Sequence, residues 1–239
     1  MLARMKTVHI ENPGPGYRLV LAEQPMPVPG PGQVLVKVAA AGLNNADLLQ
    51  ARGKYPPPPG APHTLGMEVS GIVAGLGDGV EGWMTGDPVC ALLAGGGYGE
   101  YALAASPCVL PVPQSVDLIQ AAGLPEACFT AWTNIADAAR LAEGEKLLVH
   151  GGTSGIGSIA IQIFAALGHS VFATAGSAEK CAACESLGAA RAINYKTEDF
   201  VAAVKDATKA KGVDVILDMV GGDYIGRNLH AAARGGRIV

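Results

Sequence analysis

The chain has 239 residues, of which 49% are hydrophobic and 16% are charged, and its formal net charge is -4 at pH 7. Composition and length supply a packed core for one large domain or two ordinary ones. The negative net charge does not favour binding to nucleic acid or to an anionic membrane. No apolar run is long enough to span a bilayer, and residues 1–11 lack the pattern of a signal peptide. We therefore expect a soluble, cytoplasmic protein with no nucleic-acid partner.

The five cysteines do not form a disulfide framework, because they are odd in number and mostly scattered. Cys181 and Cys184 have the C-x-x-C spacing of half a zinc or redox site. They share one face of a predicted helix, however, and the sequence holds no second pair. We expect both to pack against a sheet.

Residues 1–124 are predicted to form an all-β domain. Strands are predicted at residues 6–10, 17–22, 34–41, 68–76, 88–93 and 98–103. A short helix is predicted at residues 44–52, and a proline run follows at residues 56–59, which no central strand accommodates. This spacing of short strands favours a small barrel or sandwich.

A helical stretch is predicted at residues 117–139, and from Lys146 the chain alternates between strands and helices; residues 125–239 are assigned to this second domain. Strands are predicted at residues 147–149, 170–174, 192–194, 213–217 and 236–239. Ser177 is expected to cap one intervening helix and Thr197 the next, with Glu198 and Asp199 in its first turn, and residues 227–234 are expected to form another helix. The alternation predicts an α/β domain with a doubly wound parallel sheet of Rossmann type. Because the chain stops inside a strand, we expect this sheet to be incomplete.

A strand, a glycine turn and a helix are predicted within residues 147–167, LLVHGGTSGIGSIAIQIFAAL. Gly152 and Gly157 match the outer positions of the G-x-G-x-x-G pattern, and Ser154 replaces its middle glycine. Such a turn points backbone N–H groups and the positive end of a helix dipole at an anion, most commonly a dinucleotide pyrophosphate. An ordinary tight turn is the alternative, but the strand and helix context favours a cofactor site.

The end of the second parallel strand indicates which nicotinamide cofactor is bound. NAD sites place Asp or Glu there for the ribose 2′-hydroxyl, whereas residues 173–177 (ATAGS) contain no carboxylate. The hydroxyl of Ser177 and the ammonium of Lys180 favour a 2′-phosphate, so we expect NADPH rather than NADH. Alternatively, Ser177 only caps its helix and Lys180 is solvated.

Several stretches are jointly specific: residues 42–47 (GLNNAD), 53–60 (GKYPPPPG), 65–71 (LGMEVSG), 93–101 (LAGGGYGEY), 125–127 (PEA), the glycine turn and 193–196 (INYK). Together they resemble the zinc-independent quinone oxidoreductases of the medium-chain dehydrogenase/reductase superfamily, most closely the p53-inducible group. The resemblance implies a GroES-like β-barrel catalytic domain over residues 1–124, an NADP-binding Rossmann domain over residues 125–239 that lacks its C-terminal part, and an active site in the cleft between them. It also implies a homodimer for the full-length protein.

The same resemblance assigns residues to NADPH. It implies that Ser177, Lys180 and Tyr195 contact the 2′-phosphate, that Ser154, Gly155 and Ile156 follow the pyrophosphate, and that Thr130 lies near the nicotinamide. A strand-end aromatic packing beside the sheet is the alternative for Tyr195. The predicted cofactor-binding residues are Thr130, Gly152, Ser154, Gly155, Ile156, Gly157, Gly176, Ser177, Lys180 and Tyr195.

No metal is expected. The positions that carry cysteine and histidine ligands in zinc-dependent members of the superfamily correspond to Asn44 and Met67, with Glu126 near the third. An amide and a thioether do not make a good zinc site. The cysteine-rich loop of a structural zinc site is also missing, and a lone histidine such as His63 is more often structural.

A quinone substrate needs less activation than a ketone, because it is already electron-poor and becomes aromatic when it is reduced. It requires positioning and donors for developing oxyanion charge. Asn44 and Tyr55 are the candidate catalytic residues, because an amide N–H and a phenol both donate. Alternatively, Asn44 caps the helix that follows it, and Tyr55 packs against the proline run; Asp47 and Glu68 are interpreted as structural.

The predicted function is NADPH-dependent reduction of a small-molecule quinone without a metal. One alternative is a zinc-independent enoyl-thioester reductase, which would use a tyrosine as proton donor, and Tyr55 keeps this possibility open. The other is a cofactor-binding protein without enzymatic activity, with a structural or RNA-binding role like some zeta-crystallin relatives. The acidic net charge argues weakly against RNA.

Overall fold

A computed structural model describes residues 3–239 of the chain. Two compact units are present, Met1–Glu126 and Ala127–Val239, which we call unit 1 and unit 2. The sequence placed the domain boundary between residues 124 and 125. Within the described residues no helix is long and apolar enough to cross a membrane.

Unit 1 is built on antiparallel strands. Its elements are β1 (Arg4–Glu11), β2 (Arg18–Pro25), β3 (Gln33–Ala41), α1 (Asn45–Ala51), β4 (Glu68–Leu76), β5 (Pro88–Leu92), β6 (Tyr101–Ala105), β7 (Val109–Pro111) and α2 (Leu118–Ala121). Strands β1 and β2 form a hairpin, and the other five form one sheet in the order β6-β3-β4-β5-β7. This is the all-β, GroES-like unit that the sequence predicts.

Alternate residues along the strands of the five-stranded sheet form one hydrophobic cluster. Side chains alternate between the two faces of a strand, so residues two apart along a strand share a face. The cluster members on β3, β4, β5 and β6 fit this period and are small branched or short side chains: Val34, Val36, Val69, Val73, Val89, Ala91, Ala102 and Ala104. One face of the sheet therefore carries the core of unit 1.

One predicted strand of unit 1 is shifted in the structure. The sequence predicted residues 98–103, whereas β6 begins at Tyr101. Residues 98–100 bond to β1 instead, because the N–H of Val8 donates to the carbonyl of Tyr98 and the N–H of Glu100 donates to the carbonyl of Lys6. The hairpin is joined to the sheet through these bonds. The short strand β7 was not predicted.

Unit 2 contains an all-parallel sheet. Its elements are α3 (Pro125–Trp132), which begins just before the boundary, β8 (Lys146–Val149), α4 (Gly155–Ala166), β9 (Ser170–Ala175), α5 (Ala178–Ser186), β10 (Arg191–Asn194), α6 (Phe200–Ala207), β11 (Val213–Leu217), α7 (Tyr224–Ala231) and β12 (Ala232–Ile238). The strand order is β10-β9-β8-β11-β12. This order confirms the predicted doubly wound sheet of Rossmann type.

Helices cover both faces of this sheet. Leu147 and Val149 of β8 point into one core with α4 and α5, whereas Leu148 points into a second core with α6 and α7. Strands covered on both faces have continuous apolar runs, as in residues 147–149 of β8. Cys181 and Cys184 lie in the first core, so the expectation that they pack against the sheet is confirmed.

Two helix predictions in unit 2 are wrong in detail. Helix α6 is capped by Asp199, whose carboxylate accepts from the N–H of Val201, and not by Thr197. The hydroxyl of Thr197 instead donates to the carbonyl of Asn194, in the turn after β10. The helix predicted at residues 227–234 spans Tyr224–Ala231, because the chain from Ala232 onward pairs with β11.

Candidate functional site

The glycine turn connects β8 to α4 with the geometry of an anion site. Ser154 is the N-terminal cap of α4, and its hydroxyl accepts from the N–H of Gly157 at 3.0 Å. A Cβ added at Gly155 would meet no atom within 4 Å, so the space in front of the helix start is open. The remaining N–H groups of the first turn and the positive end of the helix dipole lie at this open side.

Close packing explains the two outer glycines of the pattern. A Cβ at Gly152 would lie 2.7 Å from Cys184 Sγ and 2.8 Å from Ala173 Cβ, and one at Gly157 would overlap the carbonyl oxygen of Gly151. Glycine at 152 therefore allows the turn to lie close to β9 and α5, and glycine at 157 allows α4 to start against the turn itself.

A second group of predicted residues lies at the carboxyl ends of β9 and β10, which are neighbouring strands. The Tyr195 ring lies against Gly176, where an added Cβ would be 2.6 Å from its hydroxyl oxygen. Ser177 is the N-terminal cap of α5, and its hydroxyl accepts from the N–H of Lys180 at 3.2 Å. Within the described residues, no carboxylate is within ion-pair distance of the exposed Lys180 side chain. Lys180 and Tyr195 are exposed and Ser177 is half-buried, and we call these three residues the cluster beside Gly176; it offers one ammonium group and two hydroxyl groups.

The remaining predicted cofactor residues are Thr130 and Ile156. Thr130 is half-buried on α3, and its carbonyl accepts from the side-chain amide of Asn134 at 2.8 Å. Ile156 is half-buried in the first turn of α4 and packs against the core of unit 2. The open helix start of α4 and the cluster beside Gly176 fit the pyrophosphate and ribose of a dinucleotide.

The sequence did not indicate a buried polar network beneath the glycine turn. It consists of His150, Thr174, Asp218 and Asn228. His150 and Asn228 are both 0% exposed. The one sequence signal for His150 was its position as a polar residue directly after an apolar strand. Its hydrogen-bond partners Thr174 and Asn228 lie 24 and 78 positions away in the chain, so local patterns do not indicate them.

In unit 1, Asn44 belongs to a hydrogen-bonded group that ends at Glu68. Asn44 precedes α1 as its N-terminal cap, and its side-chain amide donates to Glu68 at 2.8 Å. The second oxygen of Glu68 accepts from the N–H of Glu126 at 2.9 Å. Burial raises the pKa of the Glu68 carboxyl above its ordinary value, and these two hydrogen bonds oppose that rise. Glu68 is structural, as expected, and holds the Asn44 amide in place.

Asp47 is also structural. Its carboxylate accepts from the N–H of Asn44, the N–H of Gly66 and the hydroxyl of Tyr98, at 2.9, 3.0 and 2.9 Å. Burial, together with the charge and hydrogen bond of Asp47, raises the pKa of Tyr98, so its hydroxyl stays protonated and donates. The start of α1 and the segment that contains Gly66 are therefore fixed to one carboxylate.

The two candidate catalytic residues line different cavities of unit 1. Tyr55 is 40% exposed and lines a cavity of about 680 Å³ together with His9, His63 and several prolines. Asn44 lines a cavity of about 350 Å³ with Tyr98 and Leu65. Unit 1 by itself therefore does not bring the Asn44 amide and the Tyr55 phenol into one pocket.

The positions compared with zinc ligands do not make a zinc donor set. The Asn44 amide nitrogen is a hydrogen-bond donor to Glu68 and has no lone pair for a metal, and Met67 offers only a thioether. In the part of the chain that the structure describes, no group of three or more His, Cys, Asp or Glu residues is placed to hold a metal ion. His63 is exposed at the rim of the larger cavity.

Comparison with known proteins gives matches along nearly the whole chain. A family model for the alcohol dehydrogenase GroES-like domain matches residues 30–114, and one for zinc-binding dehydrogenases matches residues 155–239. Quinone oxidoreductase of Rattus norvegicus is 36% identical over 227 residues, which is 95% of this chain and 69% of the relative.

Solved structures are similar in fold and sequence. Quinone oxidoreductase of Pseudomonas syringae pv. Tomato DC3000 has a TM-score of 0.83 and 31% identity, over 99% of this chain and 72% of that one. The CurK enoyl reductase also has a TM-score of 0.83 and 31% identity, over 98% of this chain and 73% of that one.

Proposed function

The chain belongs to the quinone oxidoreductase family of the medium-chain dehydrogenase/reductase superfamily, and from this premise we propose that it reduces quinones with NADPH and without a metal ion. The family uses a nicotinamide cofactor. The observation that carries the choice of NADPH is the cluster of Ser177, Lys180 and Tyr195 at the ends of β9 and β10, where residues 173–177 contain no carboxylate. A bound cofactor would supply the hydride, and the residues of this chain would bind and orient the reactants.

Electrostatics support NADPH over NADH at this cluster. The Lys180 ammonium is exposed and has no competing ion pair within the described residues. A 2′-phosphate would gain a charge-assisted hydrogen bond there, and NADH has no group that could replace it. The Ser177 hydroxyl already accepts from the N–H of Lys180, but its own hydrogen can still be donated to a phosphate oxygen.

The direct test compares the dissociation constants of NADPH and NADH by fluorescence titration. Lys180→Ala is expected to weaken NADPH binding about tenfold, the equivalent of one charge-assisted contact, and to leave NADH binding unchanged. Lys211→Ala is the matched control, because this exposed lysine precedes the amino end of β11, at the opposite edge of the sheet. Tighter binding of NADH by the unsubstituted protein would refute the choice of NADPH.

Asn44 is the best-held donor for the oxygen of a quinone. An amide carries two N–H groups, and the bond to Glu68 uses one of them and fixes the direction of the other. A preorganised donor lowers the free energy of developing negative charge because it needs no reorientation. Asn44, Met67 and Glu126 do not suit zinc as ligands. We therefore infer that hydrogen bonds, and not a metal ion, polarise the carbonyl group of the quinone.

An enoyl-thioester reductase is the second candidate, supported by the similarity to the CurK enoyl reductase and by the exposed Tyr55 phenol, a possible proton donor. The two functions are separated by NADPH oxidation with a naphthoquinone and with a crotonyl thioester as alternative acceptors. Faster turnover with the thioester would favour the enoyl reductase. Reduction of neither acceptor, with NADPH bound, would favour a binding protein.

The cytoplasmic location and the homodimer stay predictions. Cell fractionation tests the first, and light scattering tests the second.

A further inference from the structure

A hydrogen-bonded bridge crosses the parallel sheet at the point where its strand order reverses. From β8 the order runs through β9 to β10 on one side and through β11 to β12 on the other. Ligands of doubly wound sheets bind outside the carboxyl ends of the strands at this switch point. His150 directly follows β8, and Asp218 directly follows the neighbouring β11. The bridge therefore lies below the crevice in which a dinucleotide would bind.

The contacts define the direction of the hydrogen bonds from Asp218 to His150 Nε2, and the neutral ring then defines the bond to Thr174. Asp218 Oδ2 can only accept, so the Asn228 amide nitrogen donates to it at 3.0 Å and Asn228 Oδ1 points the other way. His150 Nε2 lies 2.8 Å from that oxygen and must therefore carry the hydrogen. His150 Nδ1, at 3.1 Å from the Thr174 hydroxyl, then accepts.

Each end of the bridge holds one loop at the carboxyl edge of the sheet. The Thr174 hydroxyl accepts from the N–H of Gly151 at 3.2 Å, at the first residue of the glycine turn. At the other end, Asp218 Oδ1 accepts from the N–H groups of Val220 and Gly221, both at 2.9 Å. The bridge thus connects the glycine turn to residues 218–221.

The surroundings keep the His150 imidazole neutral. Its ring makes edge contacts with the rings of Phe200 and Tyr224, both with centroids 4.9 Å away. Burial lowers the pKa of His150, Asn228 and Asp218 oppose this shift, and the positive charge of Arg227 adds to it. A neutral ring with one donor and one acceptor nitrogen satisfies both bonds, because the Thr174 hydroxyl can donate to Nδ1.

We propose that His150 is a positioning residue for the nicotinamide cofactor: through Thr174 and Asn228 it holds the glycine turn and residues 218–221 at the separation that the dinucleotide requires, without touching the cofactor. This inference rests on the proposed function, since it assumes that the crevice binds a dinucleotide. Preorganised loops bind more tightly because the ordering cost does not fall on the binding step.

The test measures NADPH dissociation constants in two variants that cut the bridge. The His150→Asn side chain can reach the Thr174 hydroxyl but is too short for Asn228. Asn228→Leu removes the bond between His150 and Asn228 together with the bond to Asp218. Each variant is expected to weaken NADPH binding about tenfold. The double variant is expected to be no weaker than either single variant, because both remove one connection.

A second readout needs no cofactor. In the ligand-free protein, amide hydrogen exchange at Val220 and Gly221 is expected to accelerate in both variants. The control is Val204→Ala, a core change on the same face of the sheet without a polar contact, which is expected to lower stability and leave the dissociation constant unchanged. If one of the two bridge variants does not fold, Thr174→Val is measured in its place, because it removes the bonds from the Thr174 hydroxyl to His150 and to Gly151.

Unchanged NADPH binding in folded bridge variants, or weakening equal to that in Val204→Ala, would overturn the inference. So would multiplicative effects in the double variant. If the unsubstituted protein binds neither NADPH nor NADH, the proposed function fails. In that case the exchange rates of the ligand-free protein still decide whether His150 holds residues 218–221.

Discussion

Gly152 offers the sharpest test of how tightly the glycine turn packs. In Gly152→Ala the new methyl group would lie 2.7 Å from Cys184 Sγ, 2.8 Å from Ala173 Cβ and 3.2 Å from Ile161 Cδ1. Ala173 Cβ cannot rotate away, because it is fixed to the backbone of a central strand. Gly152 is not among the residues with positive φ, so the cost comes from packing and not from backbone strain.

The expected loss is about 2 kcal/mol in the free energy of unfolding. Overpacking a core costs about 1–3 kcal/mol. Replacing glycine by alanine also lowers the conformational entropy of the unfolded chain, which raises the free energy of unfolding by roughly 0.4–1 kcal/mol. Because two of the three contacts are closer than any normal Cβ contact, we place the packing cost at the upper end of its range.

Denaturant unfolding of the variant and of Gly155→Ala measures this loss. Gly155 is the first residue of α4, is exposed and would receive a Cβ without any atom within 4 Å. Gly155→Ala is therefore expected to raise the unfolding free energy by up to about 1 kcal/mol. If Gly152→Ala is as stable as the unsubstituted protein, the close approach of the turn to β9 and α5 is refuted.

Three further predictions concern the ion pair of Arg237 and Glu145 and the buried carboxyl of Glu68. Arg237 donates to both carboxylate oxygens of Glu145, at 2.8 and 2.6 Å, and to the carbonyl of Ala139. Arg237→Lys is expected to lower the free energy of unfolding by about 1–2 kcal/mol, because a lysine cannot donate to all these acceptors. Equal unfolding midpoints of the two proteins would contradict this. The hydrogen bond from Arg237 lowers the pKa of Glu145. The ion pair therefore stabilises the folded protein above about pH 4.3, and this stabilisation is lost as the pH falls through the lowered pKa. The free energy of unfolding of Glu145→Gln should lack this pH dependence. Burial raises the pKa of Glu68, so the stability of the unsubstituted protein relative to Glu68→Gln is expected to decline as the pH rises from about 4.3 through the raised value; a constant difference in unfolding free energy would refute the raised pKa.

Local patterns account for much of what could be predicted about the candidate site. The strand, turn and helix of residues 147–167 follow from a short apolar run, closely spaced glycines and helical periodicity. The cap of α5 by Ser177 was predictable because a cap bonds to a residue three positions away. The similar prediction for Thr197 was wrong because Asp199 lies two positions later and competes for the same role.

Tertiary contacts decided the rest of the site. Whether the Asn44 amide would face Glu68 depended on the pairing of β3 with β4, which brings together residues 24 positions apart. Nothing in the proline run around Tyr55 indicated that its phenol lines a different cavity from Asn44. A side chain's neighbours across a sheet follow from strand order and register, which single-sequence periodicity does not contain.

The sequence by itself determined most of the succession of strands and helices, the parallel architecture of unit 2, the glycine turn and the pair of Ser177 and Lys180 that favours NADPH. These depend on interactions within a few positions of the chain. Only the tertiary structure revealed the bridge from Gly151 to Asp218 through His150, whose histidine and asparagine are 78 positions apart. A buried polar group must find its partner wherever the fold places one, because an unpaired polar atom in a core costs about 1–3 kcal/mol.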